Sequence, residues 1–193
     1  MIKLKSLHID NRIVNWIEDY LKNRVQRVQI RGEKSDWLNV FSGVPQGSVI
    51  GPILFLIYIN DIQEGIESKI SIFADDTKLR HRVGNEEEVS VLKRDLKRLE
   101  GWSDRNGMHF NVEKCSVMHC GFQNKKNNYE IYGNILRKTI CEKDLGILVN
   151  PDMKFKDQVS AASKKVNKIL GMINRNFDCM NKEMFQILYE MLA

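Results

Sequence analysis

Apolar spacing divides the chain into a helical opening, a strand-rich middle and a helical end. Over Arg12 to Asn23, the residues Ile13, Val14, Ile17, Tyr20 and Leu21 form one face at helical spacing, and Asp10 or Asn11 stands where an N-cap belongs. From Val25 to Arg31 the period drops to two, with Val28 and Ile30 on one side and Arg27, Gln29 and Arg31 on the other. That strand is predicted to pair with Trp37 to Phe41 across the polar loop Gly32 to Asp36. The apolar run Val49 to Ile59 contains Gly51 and Pro52 and reads as a buried helix ending near Ile62. Next, Ile70 and Ile72 alternate with Ser71 as a strand, and Asp75-Asp76 reads as the turn of a hairpin before Leu79.

Glu86-Glu87-Glu88 opens a helix, because acids suit a positive helix N-terminus. Leu92, Leu96, Leu99 and Trp102 or Ser103 mark its face, and Asn106-Gly107 stops it. Short strands are predicted at Cys115 to Cys120, Tyr129 to Tyr132, Ile135 to Ile140 and Leu145 to Val149, with Gly133-Asn134 as a hairpin turn. A further helix carries Val159, Ala162, Val166, Ile169, Leu170 and Ile173 on one face and Lys164, Lys165 and Lys168 on the other. Another begins near Met184. A composition shift near Pro151 marks a subdomain boundary, giving expected domains of 1–150 and 151–193.

At 193 residues, 42% hydrophobic and 28% charged, the composition is that of an ordinary globular protein with one sizeable core. The net charge of +5 leans towards an anionic partner such as nucleic acid. Cys115, Cys120, Cys141 and Cys179 form no CxxC pair and read as reduced thiols, mostly core filler. His8, His81, His109 and His119 are scattered and suggest no metal cluster. The longest apolar stretch is too short to span a membrane, and charge follows Met1 where a signal peptide would be apolar. The expectation is an intracellular protein, nuclear or cytoplasmic and not secreted, with no membrane partner.

Two stretches carry candidate chemistry. In Gly43-Val44-Pro45-Gln46-Gly47-Ser48 the glycines permit unusual backbone angles, while Gln46, Ser48 and the next helix N-terminus offer hydrogen bonds suited to phosphate or sugar. An ordinary capped loop would read the same way. Asp75 and Asp76 repel each other unless a cation sits between them, and a divalent ion held by carboxylate oxygens is one solution. A solvated acidic turn is the other, because Asp favours turns for local reasons.

Order and spacing of these stretches resemble the palm of reverse transcriptases, specifically those of LINE-type, jockey-like non-LTR retrotransposons. The matching residues run from Gly43 to Pro52, from Tyr58-Ile59-Asn60-Asp61-Ile62, and over Phe73-Ala74-Asp75-Asp76-Thr77-Lys78-Leu79. Trp102, Asn111, Lys114, Cys115 and Leu145-Gly146-Ile147 extend the resemblance over nearly the whole chain. It implies an α+β fold: a polymerase palm-type antiparallel sheet packed on helices, truncated, with the start of a helical thumb. It implies RNA-templated DNA synthesis by two-metal nucleotidyl transfer, with magnesium as cofactor and an RNA template, a DNA primer and deoxynucleoside triphosphates as partners. Asp75 and Asp76 match the catalytic, metal-holding acids, and Ala74 the small or aromatic residue before them. Gln46, Gly47 and Ser48 match the loop against template and incoming nucleotide. Lys114 matches a basic residue near the triphosphate, and Leu145 and Gly146 a hairpin supporting the primer. Lys164, Lys165 and Lys168 fall where the thumb begins; they suit a duplex backbone or are simply a solvated face.

The same resemblance implies a third carboxylate, in a Lys-Ala-Phe-Asp motif ahead of the helix at 12–23. Leu7-His8-Ile9-Asp10-Asn11 does not match it, and Asp10 reads as the helix cap. The expectation is therefore a chain that starts after that motif, lacks the fingers, stops within the thumb at Ala193, and is inactive alone. It would then need the remainder of the polymerase as partner. The alternatives are a non-catalytic nucleic-acid-binding remnant and an inert retrotransposon relic.

Overall fold

Helices α1 (Ile2–Ser6), α2 (Asn11–Leu21) and α3 (Ile50–Ile59) gather around four buried side chains, Leu4, Val14, Ile17 and Leu54. They belong to a computed structural model that describes residues 1–177 and 181–192. The chain forms two compact units, residues 1–81 and 82–193, and mixes helices with small two-stranded sheets.

In the first unit, α2 starts as the sequence predicts. Asp10 accepts the Arg12 backbone N–H at 2.8 Å and its guanidinium at 3.1 Å and 3.2 Å, which holds the Asp10 carboxyl below its usual range. Of the expected apolar face, Val14 and Ile17 are buried, whereas Ile13 is 51% exposed. Trp16 stacks outward on Tyr20, ring centroids 5.6 Å apart. Helix α1 was not predicted. Lys3 clasps it to the C-terminal end of α3, donating to Tyr58 O at 2.6 Å and to Asp61 at 2.7 Å. A cation there suits the negative end of the helix dipole.

Between α2 and α3 lie β1 (Val25–Gln26), β2 (Gln29–Ile30), β3 (Glu33–Lys34) and β4 (Leu38–Asn39). The predicted pairing is present but its turn is not the five-residue loop. Arg31 and Gly32, at φ +51° and +93°, close a two-residue turn, with Ile30 opposite Glu33 and Gln29 opposite Lys34. Further out, Gln26 faces Leu38 and Val25 faces Asn39. The register slips by one between the two ladders, so residues 35–37 face only 27–28. That is a β-bulge. The unit ends in the hairpin of β5 (Lys69–Phe73) and β6 (Asp76–Arg80).

The second unit centres on α4 (Glu86–Asn106), which opens at Glu86 and stops at the left-handed Gly107 as predicted, with Asn85 as a cap the sequence reading did not name. Its Leu96, Leu99 and Trp102 are buried together with Tyr129, Ile131 and Leu136. Strand β7 (Ser116–Met118) pairs in parallel with β10 (Arg137–Thr139). β8 (Glu130–Ile131) meets β9 (Asn134–Ile135) across Tyr132-Gly133, so the turn lies one residue earlier than predicted. β11 (Glu142–Asp144) and β12 (Ile147–Val149) form a hairpin, followed by α5 (Lys156–Asn176) and α6 (Lys182–Leu192). Cys115 and Cys141 are half-buried but Cys120 is exposed, which corrects its reading as core filler; Cys179 and Ala193 lie outside the described residues.

Two outcomes are expected. Ile17→Ala should destabilise the first unit by about 2–5 kcal/mol in urea titration, and Ile13→Ala by less than about 0.5 kcal/mol. The lowered Asp10 pKa contributes stability at neutral pH that is lost as pH falls below the usual 3.8. Acid loss of α2 helicity, followed by NMR Cα shifts, should therefore weaken in Asp10→Asn, whose side chain caps without titrating.

Candidate functional site

The loop 43–48 is anchored at both ends by the apolar cluster, through Val44 on one side and Ile50 on the other. Between these anchors Gln46 and Gly47 are exposed. Gly47 holds φ +82°, a left-handed angle that favours glycine. Ser48 Oγ donates to Pro45 O at 2.8 Å and accepts the Gly51 N–H at 3.0 Å, so it caps the first turn of α3. Gly51 is buried for a steric reason. A Cβ there would stand 2.8 Å from Ser48 Oγ and 3.1 Å from Pro45 O.

Arg24 was missed by the sequence reading. Its guanidinium donates to Leu21 O at 3.0 Å, Ser42 O at 3.2 Å and Gly43 O at 2.5 Å, tying the end of α2 to the loop's first residues. Its acceptors are backbone carbonyls, which no residue pattern announces.

The acid pair sits at the tip of the β5–β6 hairpin, but the turn is Ala74-Asp75. Asp76 is already the first residue of β6, opposite Phe73. Ala74 takes φ +51°. Asp75 and Asp76 are both exposed, and among the described residues neither side chain has a hydrogen bond or ion pair. As donors they suit a hard divalent cation in kind. In number they fall short, because among the described residues no group of three His, Cys, Asp or Glu side chains could hold a metal ion.

The remaining candidates lie in the second unit. Lys114 is exposed in a turn where its N–H bonds Asn111 O at 3.1 Å. Leu145 and Gly146, at φ +48° and +88°, form the two-residue tip of the β11–β12 hairpin. Lys164, Lys165 and Lys168 are exposed on α5, as are Val159, Val166 and Leu170 of its apolar face. Burial pushes the Cys115 thiol up, so it is no ready nucleophile. Among the described residues no helix is long and apolar enough to cross a membrane.

A family model described as reverse transcriptase (RNA-dependent DNA polymerase) matches residues 1–174. The RNA-directed DNA polymerase from mobile element jockey of Drosophila melanogaster is 26% identical over 156 residues, 75% of this chain and 17% of that protein. The corresponding jockey protein of Drosophila funebris is 25% identical over 195 residues, 94% of this chain and 21% of that one. A probable RNA-directed DNA polymerase from transposon X-element of Drosophila melanogaster is 31% identical over 104 residues, 51% and 12% of the two chains. The chain thus spans about a fifth or less of the length of these relatives. No solved structure matches it.

The loop geometry makes its own prediction. Ser48→Ala should cost about 1 kcal/mol through the lost cap and speed hydrogen exchange at the Gly51 amide. Gly51→Ala should shift the backbone resonances of residues 45–48, because the added methyl meets backbone as well as a side chain.

Proposed function

The chain belongs to the reverse transcriptase family, and we propose from that membership that it is the palm and first part of the thumb of an RNA-directed DNA polymerase from a jockey-like non-LTR retrotransposon. Residues 1–150 make the palm and 151–193 begin the thumb. The substrates are an RNA template, a DNA primer and deoxynucleoside triphosphates, and the rest of the polymerase is the chain's structural partner.

The observation that carries this reading is the exposed, unpaired Asp75-Asp76 couple on a tight hairpin. Among this chain's residues these two would hold magnesium. Bound there, the ions would lower the pKa of the primer 3′-hydroxyl and offset charge on the departing pyrophosphate. The chain's own residues do the positioning. Gln46, Gly47 and Ser48 lie along the template and incoming nucleotide, with Gly47 permitting close backbone approach. Ala74 leaves space beside the acids. Lys114 would give a proton to the pyrophosphate as it leaves the α-phosphorus, while the attacking 3′-hydroxyl loses its own proton to solvent. Leu145 and Gly146 support the primer, and Lys164, Lys165 and Lys168 bind duplex phosphates.

Two bound divalent ions would carry four positive charges, which two carboxylates would offset only in part. The 193 residues by themselves are therefore inactive. The unpartnered acids also leave room for a second reading, a nucleic-acid-binding remnant without catalysis; an inert relic would bind nothing.

A chimera decides between them. With residues 1–174 in place of the matching stretch of a jockey polymerase, primer extension on RNA is expected. Asp75→Asn or Asp76→Asn should lower it at least about a hundredfold. An inactive but folded chimera that still binds RNA favours the remnant, and one that binds none favours the relic. Processive synthesis by the 193 residues alone would overturn the claim of inactivity.

A further inference from the structure

We propose that the bulged hairpin of residues 25–39 is a docking platform for a single-stranded polynucleotide, centred on Arg27 and Trp37. The proposal rests on the polymerase reading above and assigns a strand-binding surface that the acid pair, the 43–48 loop and the α5 lysines do not include.

The hairpin is a two-stranded ribbon whose side chains are almost all exposed, including Val28 (62%), Ile30 (67%), Trp37 (58%) and Leu38 (65%). Ribbons of this kind are marginal by themselves. Val28 and Ile30 lie on the side away from Arg27 and Gln29, so the two faces differ in chemistry. Alternation places Arg27 and Gln29 on one face, where Lys34 joins them as the cross-strand neighbour of Gln29, while Arg31 lies in the turn at φ +51°. Glu33 pairs with Ile30 and so faces the other way. One face is cationic, and its complement is a polyanion.

The bulge supplies the second element. It inserts an extra residue opposite Arg27, and the Arg27 guanidinium lies 4.3 Å from the centre of the Trp37 ring. That contact steadies an indole that is still more than half exposed. Among the described residues no protein acceptor takes the Arg27 guanidinium N–H groups. A preorganised aromatic ring beside free guanidinium donors suits base stacking with a neighbouring phosphate. Duplex bases are already stacked on one another, so the partner is single-stranded.

Continuity with the candidate site supports the assignment. The two strands of the hairpin meet where the Val40 N–H bonds Arg24 O at 2.8 Å, and the Arg24 guanidinium grips Ser42 O and Gly43 O. The base of the platform is thus bonded through Arg24 to the residues that lead into the Gln46-Gly47-Ser48 loop.

Fluorescence anisotropy with labelled 12-nucleotide RNA, its DNA counterpart and a duplex, using the 193-residue chain at low salt, tests the proposal. Trp37→Ala should weaken single-strand binding roughly tenfold, and Trp37→Phe should restore most of it. Arg27→Ala should reduce the magnitude of the salt slope by about 0.7, one single-strand phosphate contact. Duplex affinity should stay unchanged in all three variants. Loss with RNA alone identifies the template as the occupant, and equal loss with both strands identifies shared base and phosphate chemistry. Unchanged single-strand affinity in Trp37→Ala, or a change in self-association in its place, overturns the platform while leaving the polymerase reading intact. A wild-type chain that binds no polynucleotide overturns both.

Discussion

Everything in the first unit hangs on how α3 packs. Leu54 joins Leu4, Val14 and Ile17 in the small apolar cluster, and the first turn of α3 then presses so closely on Pro45 and Ser48 that a side chain at position 51 would force them to shift. Val44 and Ile50 are drawn onto the same cluster from either side of the loop. The consequence is that Gln46 and Gly47 protrude from a rigid frame without the loop needing strong bonds of its own. Burial of a few aliphatic side chains sets the shape, and Ser48 and Arg24 fasten it with hydrogen bonds to backbone. Lys3 closes the arrangement at the far end of α3, where it satisfies a terminal carbonyl.

Against that frame the electrostatics of the acids separate structure from chemistry. Asp10 is held by Arg12, Asp61 by Lys3, Asp95 by Arg98, Glu100 by Lys97 and Glu142 by Arg137. Each of those carboxylates has a local task, such as capping a helix or joining two elements. Asp75 and Asp76 have no such partner among the described residues, although they are neighbours whose charges repel. Glu86 and Glu87 are likewise adjacent and without a partner among the described residues, but they open a helix whose positive end favours them, whereas Asp75 and Asp76 lie at a turn, where Asp is favoured for local reasons.

The sequence made legible what is local and repeated. Helix α4 carries its own start and stop in Glu86-Glu87-Glu88 and Gly107, and Asp10 announces α2 by occupying a cap. The GVPQGS loop and the acid hairpin were readable because their residue types constrain the backbone. What stayed hidden depends on contacts distant in sequence or on single residues. Helix α1 is five residues long and buries only Leu4, too little for a period. Arg24 acts through carbonyls that any residue possesses. The bulge at 35–37 breaks the alternation that revealed the strands, so the pattern predicted the pair but misplaced its turn. α5 shows the converse limit: its apolar face was correctly periodic, yet Val159, Val166 and Leu170 remain exposed, because periodicity gives a face but not what covers it.

The hairpin tips bring these strands of argument to the same residue. Among the described residues four hairpins close with two residues, and in three of them the second is glycine: Arg31-Gly32, Tyr132-Gly133 and Leu145-Gly146, each pair with positive φ at both positions. Such turns match the twist of the strands and are what glycine permits. The fourth tip, Ala74-Asp75, breaks the rule. Its positive φ of +51° falls on alanine alone, in a position that ordinarily takes glycine. A left-handed alanine costs on the order of 1 kcal/mol relative to an ordinary conformation. Arg31, Tyr132 and Leu145 carry the same cost at the other tips, so what distinguishes this one is its second position, where Asp75 stands in place of a left-handed glycine. Glycine in place of Ala74 would relieve that cost but widen the angles open to the unfolded chain, whereas alanine restrains them and adds no more than a methyl beside Asp75 and Asp76.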